Sequence, residues 1–384
     1  MMTKPRYFPI LDSLRFLASV GVVVSHSTVF FRSSGPALFF PPVVEDAGYF
    51  SVVFFYTLSG FLITYLLLKE REDTGTIAIR NFYIRRALRI WPLYYTIILL
   101  SFFVFPHLIP GHPGRDSGPW AGPFLLYLFF LPNVAVLGGF YLASCFHTYT
   151  IGYEEQFYLL WPLLLRKARR SLGYVLAGLY LLPWAADVIR ARVIAGKPEL
   201  STGTPLAGQV LNFISLSNLP AFAAGTAAAL IYLGGGKRLL AFAGNRLWRY
   251  VLTGGILVLL CFTVPGPPGY GNGVSALFAL LILNLVASGI QGGWIGAVLA
   301  KGGRISYGTY MYHVAVLIFV SFFMARWHIG SPGRPMLTYL CYLAVSFGVL
   351  LPTAAISRRY LEGYFLRRKE LFEPDAAMGS KFSG

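Results

Sequence analysis

The sequence predicts an all-α polytopic membrane protein: a helical bundle of about ten transmembrane helices, with one re-entrant or broken segment in 122–165. Three observations predict it. Hydrophobic residues make up 56% of the 384 and charged residues only 12%, against about 25% charged in a soluble domain. Mean hydropathy is +0.62. Apolar runs of about 20 residues, the length that spans a bilayer, recur along the whole chain.

Those runs lie near 8–29, 50–68, 90–105, 172–189, 209–231, 249–264, 274–290, 305–325 and 337–356. The stretch 122–165 differs. It holds two shorter apolar pieces, 122–138 and 153–165, around a polar centre. The net charge of +17 comes from the loops, in clusters around Lys4 and Arg6, Lys69 to Arg89, Arg166 to Arg170, Lys237 to Arg249, Lys301 and Arg304, and Arg358 to Lys369. The positive-inside rule assigns all six to the cytoplasm. The cations thereby account for membrane orientation, and no nucleic-acid partner is expected. The alternation closes when 122–165 crosses once, with one of its pieces re-entrant or a half-helix and both termini inside. Non-helical backbone at membrane depth needs a protein or cavity surface to satisfy it, so a broken segment there belongs inside the bundle.

The N-terminus is expected to be a retained first helix rather than a cleaved leader, because Asp12 and Arg15 interrupt its apolar stretch. The expected organisation is a single transmembrane domain, 1–369, followed by a short disordered cytoplasmic tail, 370–384. Cys145, Cys261 and Cys341 are far apart. They suggest neither a disulfide framework nor a metal site. The sequence does not read out an oligomeric state.

Five stretches carry polar groups that a lipid-facing helix would avoid. In LDSLRFLASVGVVVSHS, Arg15 and His26 are eleven positions apart. Eleven steps of about 100° come within roughly 20° of three whole turns, so both side chains share one face about 16 Å apart along the axis. Asp12 stands one turn before Arg15 and is placed to pair with it. Ionisable groups inside a span are expensive facing lipid and usually face the bundle interior or a wet cavity. The plain alternative is a structural ion pair plus an interfacial histidine.

FFYTLSGFLIT, 54–64, contains Ser59 and Gly60. Close helix packing through small residues explains it without chemistry. RNFYIRRALRIWPLYY, 80–95, brings Arg85, Arg86 and Arg89 to a membrane boundary. Positive-inside anchoring explains them; so does a phosphate clamp for an anionic cofactor, since guanidinium binds phosphate bidentately. HTYTIGYEEQFYLLWP, 147–162, sets Glu154 and Glu155 beside His147 at the polar centre of the broken segment. The helix dipole favours acids at such a start, but two carboxylates exceed what capping needs. RISYGTYMYHV, 304–314, adds Ser306, Tyr310 and His313, the last about a third of the way into its span. A buried histidine bonded to a neighbour is the simpler alternative for it.

Taken together and in order, these stretches resemble the acyltransferase 3 family of integral membrane proteins. The first matches its opening, with Arg and His separated by ten residues. The others match its Phe-Phe-x-x-Ser-Gly-Phe-Leu-Ile, Arg-Arg-x-x-Arg-Ile-x-Pro, Val-Glu-Glu-Gln-Phe-Tyr and Ser-Tyr-x-x-Tyr-x-x-His elements, over roughly 8–320. Ser13 stands where Gly is common in that family, and Tyr149 where Trp is common; Gly152 and Tyr153 replace a small-aliphatic pair. Some relatives carry an extra extracytoplasmic hydrolase-like domain, and this chain is expected to correspond to the membrane core alone.

The resemblance implies an O-acyltransferase of the bacterial inner membrane. It would move an acyl group, acetyl by expectation, from cytoplasmic acyl-CoA to a hydroxyl of an exported glycan or similar acceptor. His26 would deprotonate the acceptor or carry the acyl group, and the sequence does not choose between these. Arg15 would stabilise negative charge and Asp12 would orient it. Arg85, Arg86 and Arg89 would hold the coenzyme phosphates. Glu154 would orient a histidine or bind acceptor hydroxyls. Ser59, His147, Glu155, Ser306, Tyr310 and His313 remain substrate or structural candidates, and no metal is expected. The competing class is a transporter or flippase, since intramembrane charges and broken segments also serve transport; a non-catalytic scaffold is a third.

Overall fold

The computed structural model describes residues 7–34, 37–108, 120–167, 171–196, 206–261, 270–329 and 333–373. Among them every regular element is helical. Hydrocarbon offers no partner for backbone N–H and C=O groups, and a helix satisfies them within the segment. In chain order the helices are α1 (Pro9–Ser34), α2 (Pro42–Glu45), α3 (Ala47–Thr74), α4 (Ile79–Leu99), α5 (Phe105–Leu108), α6 (Ala121–Leu128), α7 (Pro132–Leu137), α8 (Tyr149–Lys167) and α9 (Leu172–Gly196). They continue as α10 (Leu206–Leu216), α11 (Leu219–Gly234), α12 (Lys237–Ala243), α13 (Arg246–Cys261), α14 (Tyr270–Ser288), α15 (Gly293–Gly303), α16 (Ser306–Arg326), α17 (Pro335–Ser357) and α18 (Gly363–Lys369).

Among the described residues, 8 helices are long and apolar enough to cross a membrane, and together they make the chain a polytopic bundle. The expected run 249–264 is α13, which ends at Cys261, and 262–269 lie outside the described residues. The stretch 122–165 is indeed broken, and the structure shows which half breaks. The piece 153–165 lies within the continuous α8. The piece 122–138 splits into α6 and α7. Phe130 between them has φ 58°, a left-handed conformation that is an outlier for a bulky residue. Its ring stacks on Tyr94 with centroids 4.3 Å apart and also meets Trp91 and Tyr95. Pro132 then begins α7 at the first turn, where its missing N–H costs nothing. Of the expected tail, Glu370–Phe372 forms a 3-10 turn, and 374–384 lie outside the described residues.

The chain packs as two compact units. The first comprises Met1–Leu11, Val52–Ile77 and Thr150–Gly292. Its core is the crossing of α3 with α11, where glycine is required. A Cβ on Gly225 would lie 1.8 Å from the Thr57 carbonyl oxygen, and one on Gly60 would lie 2.2 Å from that of Phe222. The two backbones therefore touch, as small residues allow between membrane helices. Thr64 and Thr226 hydrogen-bond at 3.0 Å across this crossing, and Trp161 Nε1 donates to Thr64 at 2.9 Å. Asn284 on α14 donates to the carbonyls of Ala243 and Asn245 and accepts from Arg249 at 3.2 Å. It is a polar packing residue. An open, apolar cleft of about 540 Å³ lies among α9, α11 and α14, lined mainly by alanine and leucine.

The second unit comprises Asp12–Ser51, Ala78–Tyr149 and Gly293–Gly384. The Gly302–Gly303 turn at the end of α15 presses on α1. A Cβ on Gly303 would lie 2.3 Å from the Asp12 carbonyl oxygen, and one on Gly302 would meet the Phe16 ring. Ser13 Oγ donates to the Gly296 carbonyl at 2.8 Å and fixes the same contact. At the other end of the pair, His26 of α1 meets His313 of α16. These two helices therefore run side by side in the same direction. α16 also ties to α4 through Tyr307, whose hydroxyl donates to the Ile90 carbonyl at 2.9 Å.

Candidate functional site

In the second unit, three histidines converge. His26 Nδ1 lies 2.7 Å from His313 Nε2, with the two rings nearly parallel at 6°. His313 Nδ1 makes a short hydrogen bond with the carbonyl oxygen of Tyr310, one turn back on α16. His147, in the 3-10 turn Phe146–Thr148, sits edge-on to His313 with centroids 4.7 Å apart. Phe146 covers the edge of the His26 ring at 5.2 Å. Tyr310 donates its hydroxyl to the His147 carbonyl at 3.0 Å. His313 and His147 are buried, and His26 is half-buried.

This network assigns the tautomers. A carbonyl oxygen only accepts, so His313 Nδ1 carries the proton. In the neutral ring its Nε2 is then a lone pair, and His26 Nδ1–H must be the donor between the rings. His26 Nε2 is left as the basic nitrogen of the pair. A histidine whose second nitrogen is held by a defined acceptor has both its orientation and its protonation pattern fixed.

Further along the same unit, Arg15 Nη1 pairs with Asp12 Oδ1 at 2.8 Å, and both side chains are mostly buried. The Gly302–Gly303 turn against Asp12 and Phe16 holds this end of α1 in place. Arg85, Arg86 and Arg89 are half-buried on α4. Arg86 lies over the Phe82 ring at 5.5 Å, and Arg85 Nη1 donates to the Phe372 carbonyl at 2.6 Å. Arg89 neighbours Ile90, which Tyr307 holds. His313 follows Tyr307 by six residues on α16, about 9 Å of helix.

The remaining candidates divide. Ser306 donates to the Gly303 carbonyl at 2.8 Å, which closes the turn into α16. In the first unit, Ser59 Oγ donates to Glu154 Oε1 at 2.5 Å. Tyr158 donates to the same carboxylate oxygen and lies 3.1 Å from Ser59 Oγ. Glu155 is half-buried beside it on α8. Tyr158 was not singled out from the sequence, although it stands four residues after Glu154, on the same helix face. Among the described residues no group of His, Cys, Asp or Glu has an arrangement that would hold a metal ion.

The model of an acyltransferase domain matches residues 8–355. The chain belongs to this acyltransferase family. A Staphylococcus aureus (strain COL) protein provisionally named an O-acetyltransferase is 25% identical over 402 residues, covering 96% of this chain and 58% of that protein. The O-acetyltransferase OatA of Staphylococcus aureus (strain NCTC 8325 / PS 47) is 31% identical over 168 residues, 43% of this chain and 26% of its own length. The chain thus spans less than two thirds of the length of these relatives. No solved structure matches it. The acyltransferase match takes in α1, α3, α4, α8 and α16, the helices that carry the candidate side chains.

Proposed function

We propose that the protein is a membrane O-acyltransferase, moving an acetyl group from cytoplasmic acyl-CoA to a hydroxyl of an extracytoplasmic carbohydrate or related acceptor. The observation that carries this reading is the His26–His313 pair. A hydroxyl attacking a thioester needs a base that works near neutral pH, and imidazole is the usual one. The hydrogen bonds from Tyr310 O through His313 to His26 leave a lone pair on Nε2 of His26, which supports it as the base.

In the reaction, His26 Nε2 takes the acceptor's proton as the hydroxyl oxygen bonds to the acyl carbon. The C–S bond breaks, and His26 returns the proton to the leaving sulfur. Acyl-CoA supplies the activated acyl carbon. Arg15, whose guanidinium Asp12 orients, stands about 16 Å along α1 from His26, so it suits an anionic part of the coenzyme rather than the attacked carbonyl. Arg85, Arg86 and Arg89 suit the coenzyme's phosphates, being half-buried planar donors at one end of α4. In this reading that end is cytoplasmic, the membrane is the bacterial inner membrane, and the acceptor approaches from the opposite side. Glu154, in the other unit, is held by Ser59 and Tyr158 and is given no part in this step.

The test is transfer itself. Purified protein in liposomes receives labelled acetyl-CoA on one side and a glycan or oligosaccharide acceptor on the other. Label appearing on the acceptor supports the reading. A solute crossing unchanged, with no label transferred, would put the protein among transporters. Within the same assay, Arg15→Lys is expected to lower turnover at limiting acetyl-CoA by about tenfold, the scale of one lost charge-assisted hydrogen bond, because a point charge does not reproduce the planar fork. Unchanged turnover in that variant would remove Arg15 from the mechanism.

A further inference from the structure

The cleft of about 540 Å³ among α9, α11 and α14 has two unlike ends. One is lined by Leu181, Ala223 and Ala276. Beside it Tyr180 donates its hydroxyl to the Asn272 carbonyl at 2.7 Å, and the Asn272 side chain donates to the Tyr180 carbonyl at 2.8 Å. These two bonds tie α9 to α14 there. The other end is lined by Leu176, Ile231 and Leu283. At that end the chain leaves α11, turns and runs beneath α14 as α12, where Asn284 holds the Ala243 and Asn245 carbonyls.

The walls between these ends are alanine, leucine and isoleucine, with Tyr180, whose hydroxyl is already donated to Asn272. A sugar or nucleotide seated there would leave polar groups unpaired, at a high cost; an apolar chain would not. From Ala223 to Ile231 the cleft runs along about 12 Å of helix. One leaflet of a bilayer offers hydrocarbon to a depth of about 15 Å, half of the core. Charge lies at one end only. Lys237 and Arg238 are exposed at the start of α12, just past Ile231, and Arg166 and Lys167 are exposed at the end of α8, just ahead of α9. Neither 163–176 nor 231–250 contains an acid. Leu239 and Phe242 are exposed beside the α12 cations, the pattern of a segment lying at headgroup level. At the Tyr180–Asn272 end the adjoining stretches 177–186, 217–227 and 270–279 carry no charge.

We propose that this cleft is a binding site for one acyl chain of an anionic phospholipid, with its headgroup phosphate at Lys237 and Arg238. Arg166 and Lys167 add to the positive field at that corner. Cations at headgroup level attract anionic lipid, and the cleft adds burial of the chain. The lipid has one orientation, its head at the start of α12 and its chain pointing towards Tyr180. The site lies wholly within the first unit and stands independently of the acyl-transfer reading.

Native mass spectrometry of the full chain in detergent tests this with palmitoyl-oleoyl phosphatidylglycerol and with phosphatidylcholine of the same chains. The parent is expected to bind one phosphatidylglycerol about tenfold more tightly than phosphatidylcholine. Lys237→Gln combined with Arg238→Gln should erase that preference and leave phosphatidylcholine binding as it was. Ala227→Phe fills part of the cleft and should weaken both lipids about tenfold, the loss of burial for about two methylenes. Ala177→Phe, on the facing wall where residue 177 is exposed, repeats the test should Ala227→Phe lower the melting temperature without lipid. Arg334→Gln, a cation of the second unit, should bind both lipids like the parent. Equal affinity of the parent for the two lipids overturns the headgroup assignment. Phosphatidylglycerol held as tightly by both phenylalanine variants as by the parent overturns the cleft as the seat of the chain.

Discussion

Replacing His26 by asparagine is expected to lower acetyl transfer by a factor of about 10²–10⁴, the range that a positioned general base contributes. Asparagine is the informative choice. Its side-chain NH₂ can still donate towards His313 Nε2, so the buried ring keeps a partner, yet the residue offers no basic nitrogen. Alanine would remove the base too, but it would also strand a buried acceptor at a cost of about 1–3 kcal/mol, which mixes stability into the result. His313 cannot take over: its Nδ1 is committed to the Tyr310 carbonyl, and its Nε2 points at residue 26. Acetyl-CoA binding should survive in the variant, since the arginines on α4 are untouched. Turnover at the parent rate in His26→Asn protein would end the case for His26 as base.

Gly225→Val should be the most damaging change to the fold. The first added carbon would fall 1.8 Å from the Thr57 carbonyl oxygen and 2.8 Å from the Phe61 nitrogen. Those are backbone atoms of a neighbouring helix, so no side chain can swing aside. Inserting carbon into a packed core typically costs about 1–3 kcal/mol, and a clash with backbone belongs at the top of that range or above it. The measurement is thermal unfolding in detergent followed by size-exclusion chromatography. A clear fall in melting temperature, with loss of the monodisperse peak, is expected. A melting curve that overlays the parent would show that α3 and α11 do not cross as closely as described. Gly348→Ala, where an added carbon would meet nothing within 4 Å, is the matched control.

Much of this architecture could be read from the chain before any coordinates. Long apolar runs give spans because hydrocarbon forces helices, so α1, α3, α9, α14, α16 and α17 fall close to where hydropathy places them. The polar centre of 122–165 announced a break. It did not announce which half breaks, because that depends on the Phe130 ring finding Tyr94, a contact 36 positions away. The Asp12–Arg15 pair follows from helical spacing alone. The His26–His313 bond does not: 287 residues separate the two, and no periodicity within either helix reports on the other. Ser59–Glu154 was hidden for the same reason, and Gly60 reads locally as packing, which the Phe222 contact bears out. The sequence places 358–369 inside the domain and only 370–384 in a tail; it does not announce that 358–372 turns back along α4, because that depends on distant contacts such as the one between Phe372 and Arg85. The Arg358 and Glu362 spacing of four was the one local hint that this segment continues as helix.

The side-by-side course of α1 and α16 has a consequence for how this chain can vary. The glycine turn under Asp12 and the imidazole at position 26 are two fixed rungs on the same rail. Apolar residues on the rail between them can change while keeping their greasiness, and both rungs stay where they are; Ser13 and Arg15 are held to their identities by their own partners. Adding or removing a single residue there would swing His26 by about 100° around the axis and draw it off its partner. Length in that interval is thus a harder constraint than the identity of its apolar residues.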